Sequence, residues 1–173
     1  MVNIALIGFM GSGKTTIGKR LANQLGWSFL DSDILITEKE NCTIPQIFEK
    51  YGEDYFRQRE RSVLTDVAKL EKVVLATGGG LPIGEKNWEI LRRYFFTIYL
   101  KVNFTELFLR IKGDSTRPLV QKYPTRAQLE ELYLDRLCWY ERAQVIIDTT
   151  KKKPERIIGE IIESANIFRS NQN

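Results

Sequence analysis

The run Gly8-Phe9-Met10-Gly11-Ser12-Gly13-Lys14-Thr15 fills every fixed position of the pattern GxxxxGK[ST]. An apolar segment precedes it and an amphipathic one follows. Glycines at these positions let the backbone curl so that successive N–H groups point inward at phosphate oxygens, and the start of the following helix adds partial positive charge. In such a loop Lys14 bridges the β and γ phosphates of a nucleotide, and Thr15 offers its hydroxyl to Mg²⁺. Gly8, Gly11, Ser12, Gly13, Lys14, Thr15 and Thr16 form the expected nucleotide-binding set. The chemistry this implies is phosphoryl transfer from ATP to a small molecule.

Other residues could supply the acceptor. Asp31 and Asp33 stand at i and i+2 after an apolar stretch, where one could hold a metal through water and the other a substrate hydroxyl. A helix N-cap by Ser32 or Asp33 explains the same residues equally well. Arg57 and Glu60 lie one helical turn apart on a segment that also carries Arg59 and Arg61. By spacing alone they form a surface ion pair worth roughly 0.2–0.5 kcal/mol. Gly78-Gly79-Gly80 directly follows an apolar strand. Three glycines supply no packing, which points to close approach of a ligand to the main chain. Arg117 sits among Gly113, Pro118 and Pro124, either as an exposed arginine or as a phosphate clamp on a lid.

These residues need a scaffold, and the hydrophobic pattern supplies one. Val2 to Ile7, Trp27 to Leu30, Val73 to Thr77, Phe95 to Leu100 and Val145 to Ile147 are short apolar runs of the kind found in a buried parallel sheet. Between them lie helical segments: Ile17, Leu21 and Leu25 on the first, Ile34 to Lys39, a segment opening near Thr43 or Ile44, and one from about Gly52 to Ala68. Further helices cover Glu85 to Leu91, Thr105 to Ile111, a stretch from near Thr125 and a last one from Pro154. Strand–helix alternation gives an α/β fold with a parallel sheet. At 173 residues the chain can bury one core, so a single domain is expected.

Composition excludes several classes. There is no His, and the two cysteines, Cys42 and Cys138, are far apart, so a Cys/His zinc site lacks its ligands and a reducing compartment is expected. No run of about 18 apolar residues occurs, so the expectation is a soluble, cytoplasmic protein without membrane contact. The net charge of +4 is spread along the chain, and Lys151-Lys152-Lys153 fits a solvated turn better than a nucleic-acid tract.

Taken together the motifs resemble the shikimate kinase family. Its pattern is a P-loop, a DxD, an FRxxE helix, a GGG loop, an RP dipeptide and a later arginine before Tyr-x-x-x-Ala. Here these are Gly8 to Thr15, Asp31 and Asp33, Phe56-Arg57 with Glu60, Gly78 to Gly80, Arg117-Pro118, and Arg136 ahead of Tyr140 and Ala143. The resemblance implies a three-layer P-loop kinase fold with a five-stranded parallel sheet in the order 2-3-1-4-5. It implies one domain over 1–165 with substrate-binding helices at about 34–62, a lid at about 113–124 and a frayed tail over 166–173.

It further implies that Asp33, Arg57, Gly78, Gly79, Gly80 and Arg136 hold shikimate, with Glu60 in support. Thr15 and Asp31, the latter through water, order the Mg²⁺ shell, and Arg110 and Pro154 sandwich the adenine of ATP. Lys14, Asp33 and Arg117 are the implied catalytic groups, and the implied state is a monomer. Leu137-Cys138-Trp139 departs from the smaller residues common in the family after this arginine.

Overall fold

The computed structural model describes residues 3–112, 120 and 122–170. Five parallel strands form one sheet: β1 (Asn3–Ile7), β2 (Ser28–Asp31), β3 (Val73–Ala76), β4 (Phe95–Lys101) and β5 (Val145–Asp148). Their order is β2-β3-β1-β4-β5, as the resemblance implies. The helices are α1 (Lys14–Leu25), α2 (Ser32–Glu40), α3 (Ile44–Val67), α4 (Glu85–Tyr94), α5 (Phe104–Ile111), α6 (Arg126–Tyr140) and α7 (Pro154–Ser170).

The period-two geometry of a strand explains the three layers. Along β1, Ile4 and Leu6 face a core that includes Ile17 and Leu21 of α1 and Ile157, Ile158 and Ile161 of α7. Ala5 and Ile7 face the opposite core, with Val63 and Leu64 of α3, Leu91 of α4 and Tyr140 of α6. A strand covered on both sides has no polar face to show, hence the apolar run Ile4 to Ile7.

Boundaries differ from the sequence reading where local hydrogen bonding decides them. Trp27 does not open β2, because its N–H is spent on Ala22 O at 2.9 Å in the turn that ends α1 at Gly26. The segments expected from Thr43 or Ile44 and from Gly52 are two helices run together within α3: they meet at Gly52, whose φ of 81° and ψ of 176° are non-helical, and the first opens with a capping box between Thr43 and Gln46. The last helix continues to Ser170, past residue 165, with Ala165 still packed in the core. Within the lysine block, Lys152 is engaged by Glu160 at 2.7 Å. Among the described residues no helix is long and apolar enough to cross a membrane.

Register is what matters for the site. Ala76 pairs with both Leu6 of β1 and Asp31 of β2, so three strands end level with one another. The glycine loop after β1, the Asp31-Ser32-Asp33 turn and the triple glycine therefore emerge side by side, at the edge where open α/β sheets bind ligands. The two helices beyond this edge are tied together by Lys39–Asp66 at 2.6 Å, Arg59–Glu40 at 2.9 Å and a Tyr55 hydroxyl donating to Glu40 at 2.7 Å.

At the other end of β1, the buried Asn3 amide donates to Leu70 O at 2.8 Å and its Oδ1 accepts from Val73 N at 3.0 Å. Asn3→Ala should lose about 1–3 kcal/mol of stability by stranding both main-chain groups. Urea unfolding measures this directly; an unchanged midpoint would show that the amide contributes nothing.

Candidate active site

Gly11 and Gly13 adopt φ of 78° and 90°, values that L side chains rarely take, and they let the chain turn sharply into α1. Among the described residues no side chain caps that helix, so its first N–H groups are left to an anion. Lys14 folds back across the loop, with Nζ 2.9 Å from Gly8 O and 2.8 Å from Phe9 O. Thr15 donates its hydroxyl to Asp31 Oδ2 at 2.9 Å, and Asp31 Oδ1 accepts from Asp33 N at 3.1 Å. The N-cap of α2 is thus Asp31, not Ser32 or Asp33, because the helix begins at Ser32, directly after the strand. Ser32 is buried and accepts from Gly78 N at 2.7 Å.

Beside the loop lies a cavity of about 490 Å³ lined by Lys14, Thr15, Thr16, Asp31, Asp33, Arg57, Glu60, Gly78, Gly79, Gly80 and Arg136. Most of the expected site residues therefore share one wall-to-wall space. Ile44, Pro45, Phe48 and Phe56 give it an apolar side, with the two phenyl rings 4.8 Å apart.

The Arg57–Glu60 pair is not a surface pair. Glu60 is 1% exposed, and Arg57 reaches it at 2.6 Å with Nη1 while Nη2 holds Glu53 at 2.9 Å. Burial pushes the Glu60 carboxyl up to about 7, with Arg57 pulling the other way and Asp33 adding to the rise. Burial works against the Arg57 charge, but Glu60 and Glu53 more than offset it and hold the guanidinium protonated. Arg136 is 5% exposed, lies 5.8 Å over the Phe9 ring, and has no partner for Nε or Nη1 among the described residues.

The triple glycine lines the cavity, and two of its missing side chains also leave room for polar neighbours. A Cβ on Gly78 would overlap Asp33 Oδ1, one on Gly80 would overlap the Arg57 guanidinium, and one on Gly79 would stand 3.4 Å from Arg136 Nη1. Gly78 and Gly80 thus each make room for one polar side chain of the cavity, while Gly79 lies beside a third.

Arg117 and most of the expected lid lie outside the described residues. Arg110 and Pro154 do not line the cavity: Arg110 donates to Gly11 O at 3.0 Å and pairs with Glu106, while Pro154 opens α7. Sequence reasoning missed the supports. Ser32 was visible only as a possible cap, and Tyr140, whose hydroxyl donates to Gly79 O at 2.6 Å, only as part of the Tyr-x-x-x-Ala pattern with no role of its own.

A phosphate loop opening a helix, with a cavity of paired acids and arginines beside it at the sheet's carboxyl edge, defines a P-loop small-molecule kinase. The model of the family described as shikimate kinase matches residues 10–166. A shikimate kinase of Clostridium botulinum (strain 657 / Type Ba4) is 43% identical over 159 residues, 91% of this chain and 93% of the relative. A shikimate kinase of Chromobacterium violaceum is 40% identical over 93% of this chain and 88% of its own length. Among solved structures, shikimate kinase from Acinetobacter baumannii in complex with shikimate superposes with a TM-score of 0.91 at 38% identity, over 99% of this chain and 94% of that one. A gluconokinase from Sinorhizobium meliloti 1021, 15% identical with a TM-score of 0.63, shares the fold alone. The chain belongs to the shikimate kinase family.

Two outcomes follow from the packing. Gly80→Ala must drive Arg57 out of its pair with Glu60, which a crystal structure of the variant would show; an intact pair would mean that the loop yields instead. For Glu60 the folded pKa of about 7 lies above the ordinary 4.5. The folded state therefore binds more protons in this window, and the group's stabilising contribution is full below about 4.5 and lost as pH rises through about 7. Glu60→Gln should flatten that part of the stability curve relative to the parent. Parallel pH–stability profiles from denaturant titration decide it: equal slopes would show that Arg57 keeps Glu60 charged throughout.

Proposed function

We propose that the chain transfers the γ-phosphoryl group of ATP to the 3-hydroxyl of shikimate, giving shikimate 3-phosphate and ADP. The observation that carries this reading is Arg136, a buried guanidinium with Nε and Nη1 unpaired among the described residues, in one cavity with Arg57 and next to the phosphate loop. Buried donors of a charged group are costly unless an acceptor completes them. A carboxylate does so, because its two oxygens match the fork of an arginine. The 38% identical relative in complex with shikimate supports the same substrate, a ring bearing one carboxylate and several hydroxyls.

In this reading the ATP phosphates lie on the N–H groups of Gly11 to Thr16, and Lys14 exchanges the Gly8 and Phe9 carbonyls for β and γ oxygens. Arg57 and Arg136 bind the shikimate carboxylate, Glu60 fixes Arg57 by its ion pair, and Gly78 to Gly80 line the ring. Asp33 accepts from the ring hydroxyls and takes the proton of the attacking one. The new bond joins that oxygen to the γ phosphorus, and the bond to the β–γ bridging oxygen breaks. Arg117 adds a cation at the transferring group, and Arg110 and Pro154 flank the adenine.

A magnesium ion fits the residues present. The Thr15 hydroxyl and Asp31 carboxylate touch at 2.9 Å, and Mg²⁺ takes few protein oxygens and keeps much of its water. When bound, it supplies charge neutralisation across the β and γ phosphates. Thr15 would hold it through its hydroxyl, and Asp31, already capping α2, through water.

Coupled ADP release with shikimate as acceptor tests the proposal. Asp33→Asn should lower kcat by about 10²-fold or more with ATP binding retained. Asp31→Asn should chiefly raise the Mg²⁺ requirement, and Lys14→Ala should nearly abolish turnover. No shikimate-dependent ADP release, or reversed phenotypes of the two aspartates in a metal titration, would overturn the assignment.

A further inference from the structure

The direction of each peptide in the triple glycine is not set by its side chains, since it has none, nor by narrow φ/ψ preferences, which glycine lacks. Hydrogen bonds must set it. Gly78 N–H donates to Ser32 Oγ at 2.7 Å, Gly78 O accepts from Leu81 N at 3.1 Å, and Gly80 O accepts from Ile83 N at 3.0 Å. The peptide between Gly79 and Gly80 is held by one bond of another kind, the 2.6 Å hydrogen bond from the Tyr140 hydroxyl to Gly79 O. A peptide unit is planar, and no cis bond occurs among the described residues. With Gly79 C=O drawn toward Tyr140, the N–H of Gly80 in the same plane must point the opposite way.

From this geometry we propose that Tyr140 is a positioning residue for the acceptor: its hydroxyl aims the Gly80 N–H and sets the depth of Gly79 between the phosphate loop and Arg136. The inference rests on the functional reading above. Gly79 is where the two halves of the site meet. The Cβ position it lacks is 3.4 Å from Arg136 Nη1, 3.6 Å from Met10 N and 3.7 Å from Gly8 O. Gly79 therefore stands between the acceptor-binding guanidinium and the phosphate loop.

Tyr140 is suited to fix it. The side chain is fully buried, its ring lies 5.4 Å from that of Tyr99, and it follows Arg136 by one turn on the same helix. Burial pushes its phenol up to about 12, against the pull of the Arg136 charge, so the hydroxyl remains a donor at working pH. A tyrosine kept only for packing would need none of this, since phenylalanine fills the same space.

Tyr140→Phe is therefore the test, because it keeps the ring and deletes the bond. A donor contacting the acceptor equally in ground and transition states acts on KM rather than kcat. The KM for shikimate should rise about tenfold, with kcat changed less and the KM for ATP within about twofold. In the free protein the ¹H–¹⁵N signal of Gly80 should move while those of Gly11 and Gly13 stay in place. An unchanged shikimate KM would overturn the proposal, as would KM values for shikimate and ATP that rise together, the mark of a general structural effect. A stationary Gly80 signal would overturn it as well. If the unmodified chain released no ADP with shikimate, the functional reading would fail separately, and the Gly80 signal would still decide whether Tyr140 aims that peptide.

Discussion

A carboxylate with almost no access to water, Glu60, is the constraint around which the acceptor half of the cavity is arranged. Charge taken out of water must be matched locally, and at an effective dielectric of about 20 an opposite charge about 4 Å away returns only ~4 kcal/mol. Glu60 therefore needs Arg57 at contact distance, and Arg57 in turn holds Glu53. Arg136 lowers the carboxyl further and Asp33 raises it, so charged groups on three helices together set the state of Glu60. None of them can be moved alone. The ion pairs between α2 and α3 follow from the same requirement, since Asp33 and Glu60 keep their spacing only if those helices move as one body.

The sheet supplies the second half of the arrangement. Parallel register brings Leu6, Ala76 and Asp31 level, so the phosphate loop and the acceptor groups start from neighbouring strand ends. Their relative position is then fixed by main-chain hydrogen bonds rather than by long side chains. Asp31 joins the two regions, since its two carboxylate oxygens serve Thr15 on α1 and the first turn of α2. This is the cheapest way to hold a phosphoryl donor and its acceptor within reach, because it adds little side-chain entropy to what the sheet already orders.

Much of this was legible in the residues themselves. The phosphate loop has a fixed pattern and a fixed context, and the strands follow from unbroken apolar runs. What spacing could not supply was burial. Arg57 and Glu60 at i and i+3 look like any surface pair until the helix is given a rotation. That rotation was in fact written nearby: Phe56, Glu60, Val63, Leu64 and Val67 form one stripe with helical spacing, and Glu60 is its single charged member. Arg136 interrupts the stripe Leu129, Tyr133, Tyr140 in the same way. A charge inside an apolar stripe is the signal that separates a buried functional group from a solvated face. Ser32 and Tyr140 carry no such signal, because a small hydroxyl and an aromatic ring are ordinary in a core.

The triple glycine shows why chain chemistry alone underdetermines a site. Three glycines cost about 0.5–1 kcal/mol each in backbone entropy relative to alanine, and the natural inference is a ligand lying against the main chain. That face lines the cavity, while the Cβ positions themselves lie against Asp33, Arg136 and Arg57, one beside each glycine. The methyl groups that are missing from positions 78 and 80 are thus what allows an acid and an arginine from two different helices to converge on one small volume. A side chain at 78 would displace the acid, and one at 80 the paired arginine. Freedom of the glycine backbone is then removed by a hydrogen bond to Ser32 and by others from Leu81, Tyr140 and Ile83. A segment with the least intrinsic preference in the chain is held to one conformation by its neighbours, and its neighbours keep their places because it has no side chains to exclude them.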